Sequence, residues 1–274
     1  MNGHSIKELC KVFKYSRDGY YKSTKMTEKE NLSRAILLNE VLLIRREHPR
    51  MGGKKIYYLL KDLSKELHIG RDKFFTLLRE EGLLVEPKKS YVKTTNSYHR
   101  FRVYKNELSK KKINSPNQAW ASDITYISTT SGFMYLFLLT DMYSRKIVGW
   151  DLSENLSLEG GLKALKQALK QCKNAEGVIH HSDRGIQYCS NIYTSVLLKN
   201  KMQISMTEEN HCYENAMAER VNGILKNEYL LDTRFKDKSI AIKTCAEAIM
   251  LYNKKRPHWS LGLKTPEEVH QIVA

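Results

Sequence analysis

A chain of 274 residues with 41% hydrophobic content is long enough for two domains and too apolar for wholesale disorder. It contains no apolar run long enough to span a bilayer, and its start, MNGHSIKELCKVF, lacks the apolar stretch and cleavage site of a secretory signal. Five scattered cysteines without a C-x-x-C pair argue against a structural zinc site and fit a reducing, cytoplasmic setting.

The net charge of +16 is unevenly placed: residues 1–118 carry 27 Lys and Arg against 13 Asp and Glu, residues 119–274 carry 19 against 17. The front half is either a solvated, lysine-rich surface or a region that holds a polyanion. Residues 1–50 read as an N-terminal helical region, with no sustained heptad pattern in residues 1–30. KKIYYLLKDLSKEL (54–67) reads as one helix, His68-Ile69-Gly70 as a turn, and RDKFFTLLREEGLL as a second helix. In that second helix Phe74, Leu77 and Leu78 recur at helical spacing and Gly82 stands at the C-terminal cap. Two short helices joined by a glycine-containing turn form either a helix-turn-helix over residues 51–92 or an ordinary packing unit. In the first reading Arg71 and Lys73, with Lys54 and Lys55 from the preceding helix, contact DNA. The stretch 93–118 is basic, aperiodic and reads as a linker.

The back half changes period. NQAWASDITYIS, FMYLFLLTD and RKIVGWDL read as strands, with MYS turning between the last two. SLEGGLKALKQALKQC is an amphipathic helix with Leu158, Leu162, Leu165, Leu169 and Cys172 on its apolar face. VIHH is a fourth strand, IYTSVLLKN a short helix, MQISM a fifth strand, and a long helix starts near Asn215. This order is an α/β plan around a mixed sheet, with a core over residues 119–231 and a helical extension over 232–274.

Three carboxylates stand where chemistry is done. Asp123 lies inside the first strand, Asp183 closes the fourth, and Glu219 sits in NAMAERVNGILKNEYL. If the first and fourth strands are neighbours, Asp123 and Asp183 approach each other. On a helical wheel Asn215, Glu219, Asn222 and Lys226 share one face, directed away from the core, while Met217, Val221 and Ile224 pack on the sheet. Clustered carboxylates repel, and a divalent cation relieves that repulsion. Sparse oxygen ligands suit Mg²⁺ or Mn²⁺, and two such ions can serve the attacking and leaving oxygens of a phosphodiester. Asp141, at the end of the second strand, is the rival carboxylate; capping the MYSR turn or pairing with Arg145 is its structural role. In the tail, a helix from about Ser239 ends before Pro257, and Thr265-Pro266-Glu267-Glu268 forms a capping box that braces the long helix. Lys254, Lys255 and Arg256 form either a phosphate contact or a solvated basic turn.

WASDITYI, LLTDMYSRKIVGW, HHSDRGIQY, NAMAERVNGILKNE and YNKKRPHWSLGLKTPEE resemble, in that order, the catalytic half of OrfB transposases of insertion-sequence family 3, and HPRMGGKKIYYLL and LLREEGLL extend the likeness upstream. The resemblance implies a ribonuclease H-like integrase catalytic core behind an all-α helix-turn-helix region, and DDE chemistry. Hydrolysis at the element's end would be followed by attack of the freed 3′-OH on target DNA. It places the metal-binding acids on Asp123, Asp183 and Glu219, with two ions of Mg²⁺ or Mn²⁺ as cofactor. It makes Lys226 a DNA contact near the cut end, with Asn215 and Asn222 beside it. It implies terminal inverted repeats and target DNA as partners, a homo-oligomer on DNA, an upstream-frame OrfA product or fusion, and a nucleoid-associated cytoplasmic location. Two departures stand out: Glu214 replaces the family's usual Asp in CYENA, and the helix-turn-helix and coiled coil of the upstream frame, to which the family's working transposase is commonly fused, are not seen, so the chain resembles the downstream product alone. The His/Cys zinc module of retroviral integrases is not found either, His180, His181, His211 and Cys212 lacking ligand spacing. A non-catalytic DNA-binding regulator derived from such an enzyme is the alternative. A ribonuclease H-type hydrolase would share the metal site.

Overall fold

The computed structural model describes residues 5–86, 101–108, 111–207 and 216–272. The chain divides into two compact units, Met1–Glu86 and Pro87–Ala274.

The first unit is all helical: α1 (Ile6–Val12), α2 (Arg17–Glu47), α3 (Gly53–Leu59), α4 (Lys61–Glu66) and α5 (Arg71–Glu80). Ser5 and Glu8 form a reciprocal capping box on α1, satisfying the orphan amides of its first turn. The helix expected over 54–67 is broken at Leu60, which is buried and leaves helical geometry at φ −100°, ψ 17°. Burying Leu60 together with Ile56 turns the chain, a tertiary demand that local periodicity does not carry. Leu37 and Val41 of α2 share one core with Ile56, Phe74, Leu77 and Leu78, so residues on both sides of position 50 are cored together. Gly82 caps α5 with φ +65°, as its position suggested.

The second unit is a five-stranded mixed sheet, β1 (Ala119–Thr129), β2 (Gly132–Asp141), β3 (Ile147–Ser153), β4 (Ile179–Ser182) and β5 (Gln203–Met206), in the order β3-β2-β1-β4-β5. β1 and β2 form an antiparallel hairpin, and β4 runs parallel beside the first residues of β1, Ala119 opposite Ile179 and Ala121 opposite His181. Alternation puts Thr125, Ile127, Leu136 and Leu138 on one face. There α9 (Ala216–Glu228) and α10 (Lys238–Lys255) pack. Trp120, Phe137 and Leu139 face the other side, under α6 (Leu158–Gln171) and α8 (Asn191–Lys199). A short helix absent from the sequence reading, α7 (Ile186–Cys189), follows β4, and α11 (Pro266–Gln271) ends the described chain.

The apolar face expected on α6 is rotated. Gly160, Gly161, Ala164, Leu165 and Ala168 are buried, while Leu158, Leu162 and Leu169 pack at its margin. The cause is a close backbone approach: a Cβ on Gly149 of β3 would sit 2.1 Å from the Ala164 carbonyl oxygen, so the small residues of α6 must face the sheet. Residues 101–108 and 111–118, read as linker, hold no helix or strand, only bends and a turn, but Tyr104 packs against the core that α6 and α8 cover. The Lys105 carbonyl accepts a hydrogen bond from Met206 N at 3.4 Å along the β5 edge. Among the described residues no helix is long and apolar enough to cross a membrane.

Candidate active site

β1 and β4 are neighbours, so Asp123 and Asp183 come to the same end of the sheet, where β4 stops and β1 continues. Burial pushes the Asp123 carboxyl up to about 7, helped by the charges of Asp183 and, more weakly, Glu219; hydrogen bonds from Ile124 N and Asn222 oppose the rise. Asp183 and Glu219 therefore both act on Asp123 through space.

The α9 helix corrects the expected orientation. Asn222, placed on the outward face in the helical wheel, is 7% exposed and donates from Nδ2 to Asp123 Oδ2 at 2.6 Å, while its Oδ1 is buried without a protein partner. Val221, Ile224 and Leu225 are buried beside it, Met217 is half-buried and Glu219 is exposed. The polar stripe of α9 thus faces the open edge of β1, beyond the end of β4, because that edge has a carboxylate for it to meet. Lys226 is half-buried; burial lowers its pKa, and the charges of Asp123 and Asp232 pull it back up. Asn215 lies outside the described residues, as do Glu214, His211 and Cys212.

Asp183 is held by a feature that sequence reading missed. Gly185 N donates to Asp183 Oδ1 at 3.0 Å, and a Cβ on Gly185 would meet that oxygen at 3.0 Å. The tripeptide Asp-x-Gly signals such an Asx turn. Arg184 Nε donates to the Thr207 carbonyl at 2.8 Å, tying the turn to the end of β5. Behind it, His180 Nε2 lies 2.9 Å from Tyr193 Oη and His181 Nδ1 lies 2.8 Å from Ser205 Oγ, both rings buried. Burial and the neighbouring His181 push His180 down to about 3, so it is neutral. Among the described residues no three His, Cys, Asp or Glu side chains stand as a ready metal cage.

Asp141 is a structural acid. Its Oδ1 accepts from Ser144 N at 2.7 Å and Ser144 Oγ at 2.8 Å, and its Oδ2 accepts from Asn117 N at 2.7 Å. It caps the turn, while the Arg145 side chain donates instead to the Met142 carbonyl.

The chain matches the integrase core domain family over residues 113–212 and a second integrase core model over residues 200–266. It is 34% identical to the insertion element IS600 uncharacterized 31 kDa protein of Shigella sonnei, covering 97% of this chain and 100% of that one. It is 30% identical to transposase InsF for insertion sequence IS3fB of Escherichia coli (strain K12), covering 98% and 96%. This chain belongs to the insertion-sequence 3 family of DDE transposases. A cryoEM structure of the simian T-cell lymphotropic virus intasome in complex with PP2A regulatory subunit B56 gamma shares the fold. Its TM-score is 0.51 at 16% identity, over 77% of this chain and 73% of that one. The sheet and its helices are those of the ribonuclease H-like integrase core, and the protein is a DNA transposase.

Elsewhere in this transposase the candidate DNA contacts divide. In the N-terminal unit Lys54, Arg71 and Lys73 are exposed, but Lys55 is 7% exposed and is removed from the set of surface contacts. The Arg71 guanidinium lies 5.6 Å over the Phe75 ring, and Lys73 stands 3.8 Å from Glu30. In the tail Arg256 is no phosphate contact: it is buried and donates from Nε and Nη2 to Glu228 at 2.7 Å each. Glu228 is the last residue of α9, so Arg256 braces that helix. The Thr265 capping box forms as expected, but α11 supports the β2–β3 turn instead, through Lys146–Glu267 at 2.9 Å and Ser144–His270 at 2.9 Å.

Proposed function

We infer that this transposase cleaves DNA at the ends of its element and joins the freed 3′-OH to target DNA, with Asp123, Asp183 and Glu219 as the working acids. The observation that carries the reading is the Asp123 carboxyl, held at about 7 between two further acids on separate elements. A fold gains nothing in stability from a carboxyl repelled by two others, so Asp123 beside Asp183 and Glu219 asks for a counter-charge. The donor set fits one: carboxylate oxygens suit Mg²⁺ or Mn²⁺. Bound there, divalent ions would neutralise charge on the phosphodiester and lower the pKa of the attacking hydroxyl. The chain's own residues orient the acids. Asn222 fixes the Asp123 carboxylate, Gly185 N fixes that of Asp183, and the Arg256–Glu228 pair holds α9 in register. The Lys226 ammonium, in the field of Asp123, is available to a phosphate as that field is neutralised. The exposed cations Lys54, Arg71 and Lys73 extend the reading to a helix-turn-helix over residues 51–92 that positions DNA through its phosphates. The core spans 119–231 with its extension to 274.

The test is strand joining in Mn²⁺, with a pre-cut oligonucleotide of the element's end, a target duplex, and wild type beside Asp183→Asn and Glu219→Gln. Joining by wild type alone, with DNA binding retained by all three proteins, supports the assignment. Joining by either variant at the wild-type rate removes that acid from the site. Should binding occur without joining even in wild type, the fused upstream frame is added; continued silence leaves a DNA-binding regulator as the better description.

A further inference from the structure

The acids stand on one face of the sheet. Trp120 of β1 and the Tyr193 partner of His180 belong to the core under α6 and α8. Alternation therefore sends Asp123, His181 and Asp183 to the opposite face, where Asn222 of α9 meets Asp123. On β5, Ile204 and Met206 pack on the α8 side, so Gln203 and Ser205 share the face of the acids. The 2.8 Å contact between His181 Nδ1 and Ser205 Oγ fits that placement. The core that α9 and α10 cover on this face takes residues from β1, β2 and β3 and none from β4 or β5. His181 and Ser205 are nevertheless buried.

Part of their cover is the chain ahead of β1. Three bonds dock it antiparallel along the β5 edge. Met206 N donates to the Lys105 carbonyl at 3.4 Å, Glu107 N to Ser205 Oγ at 2.9 Å, and Lys111 Nζ to Gln203 Oε1 at 2.7 Å. Ser205 and Gln203 are side chains of the acid face, so the segment passes on that side of the edge. Its anchor is Tyr104, packed against the core on the α8 side, with the Arg102 guanidinium 5.0 Å from the centre of its ring. Successive side chains of an extended chain alternate, so Lys105 leaves the face of Tyr104 for that of the acids, and it is exposed.

Register sets how far Lys105 stands from the chemistry. Met206, bonded to Lys105, is paired with Ser182, the residue before Asp183. Two strand spacings of about 4.8 Å put the Lys105 backbone roughly 10 Å from β4, level with the acids, and a lysine side chain bridges much of that gap. Glu107 lies a step further from Asp183, opposite Ser205. On the other flank, Asn222 and Lys226 of α9 stand over Asp123. The acids thus lie between two walls, α9 with Lys226 and residues 104–108 with Lys105. A DNA strand carries one phosphate per about 3.4 Å of helix axis, so a phosphate held at the acids has neighbours within reach of a cation about 10 Å away.

We propose that residues 104–108 form the second wall of the active-site cleft, and that Lys105 holds a DNA phosphate within about three nucleotides of the one being joined. The proposal rests on Asp123 and Asp183 being the site of joining. Tyr104, clamped by Arg102, is the positioning residue that fixes the wall.

The experiment is a charge-deletion cycle on the full-length protein and a branched oligonucleotide that mimics the joined product, read as binding so that no catalytic step is needed. Single phosphates within roughly four nucleotides of the branch, in the element-end arm and in the target arm, are replaced in turn by neutral methylphosphonates. Each substrate is titrated against wild type, Lys105→Gln, Lys105→Arg and Lys112→Gln. The expected result is a phosphate whose neutralisation weakens wild type and Lys105→Arg about fivefold and Lys105→Gln hardly at all. The salt slope of Lys105→Gln should fall by about one counterion. The arm that holds the coupled phosphate tells whether Lys105 serves the element's end or the target. Lys112→Gln removes the same charge past Lys111, at the far end of β5, and should keep the wild-type pattern. If every methylphosphonate costs Lys105→Gln as much as wild type, Lys105 touches no phosphate and only guards a sheet edge, which overturns the proposal. The same coupling in Lys112→Gln would reduce the effect to net charge and overturn it too. An Asp183→Asn protein that still joins strands while the Lys105 coupling persists would sink the reading of the acids and leave the phosphate contact standing.

Discussion

Replacing Asp123 with Asn should make the metal-free protein more stable, although it should end joining. The carboxyl is raised from 3.8 to about 7, so between those values the folded chain holds a proton that the unfolded chain has released. Stability therefore falls as pH rises through that window, and above pH 7 the fold carries the full cost of an ionised, crowded acid. A shift of about three units corresponds to at most about 4 kcal/mol, and partial solvent contact of the side chain reduces this to about 1–3 kcal/mol. For a unit of this size that is a rise in melting temperature of about 2–12 °C. Scanning calorimetry at pH 8 with a chelator should show Asp123→Asn melting above wild type, with the gap closing toward pH 4. Saturating Mg²⁺ should raise the wild-type melt more at pH 8 than at pH 5 and leave the variant nearly unmoved. Equal melts for both proteins at pH 8, or a Mg²⁺ effect independent of pH, would refute the argument that the acids are grouped for a cation.

Removing the brace on α9 with Arg256→Ala leaves the Glu228 charge nearly buried, which costs about 3–5 kcal/mol. A melt lowered by about 6–20 °C is expected, and a drop under a couple of degrees would show that the pair holds nothing. Gly185→Ala puts a methyl group against Asp183 Oδ1, so joining should fall at least about tenfold while the melt changes little; unchanged joining would free the turn of its role. The neutral, buried His180, with its pKa pushed down to about 3, adds an acid sensitivity. As pH drops below the ordinary histidine value of about 6.5, the unfolded chain gains a proton that the folded one refuses. Urea unfolding should lose about 2 kcal/mol between pH 6.5 and 5 from this residue. A His180→Gln protein with the same acid slope would assign the loss elsewhere. Lys54→Gln should weaken DNA binding where Lys55→Gln changes stability instead, a distinction read by parallel binding and melting curves.

The sequence alone determined whatever depends on neighbours a few residues apart. Strand alternation, the helical spacing of Phe74, Leu77 and Leu78, the Gly82 cap and the Thr265 capping box are short-range patterns, and each stands as read. So does the turn role of Asp141, since its partners are the next residues in the chain. The family motifs added the order of the acids. Tertiary structure decided which side of an element faces what. Asn222 looked solvent-facing because a helical wheel ranks sides by polarity, yet a buried carboxylate 99 residues away gives that polar side chain a partner. Arg256 and Lys55 looked like surface cations for the same reason; Arg256 is buried against Glu228, 28 residues upstream. On α6 Leu158, Leu162 and Leu169 lost the central position to glycine and alanine while Leu165 kept it, because backbone contact with Gly149 sets the helix-to-sheet distance. Burial of a polar or charged group depends on a partner brought by the fold, and distance along the chain carries no record of it.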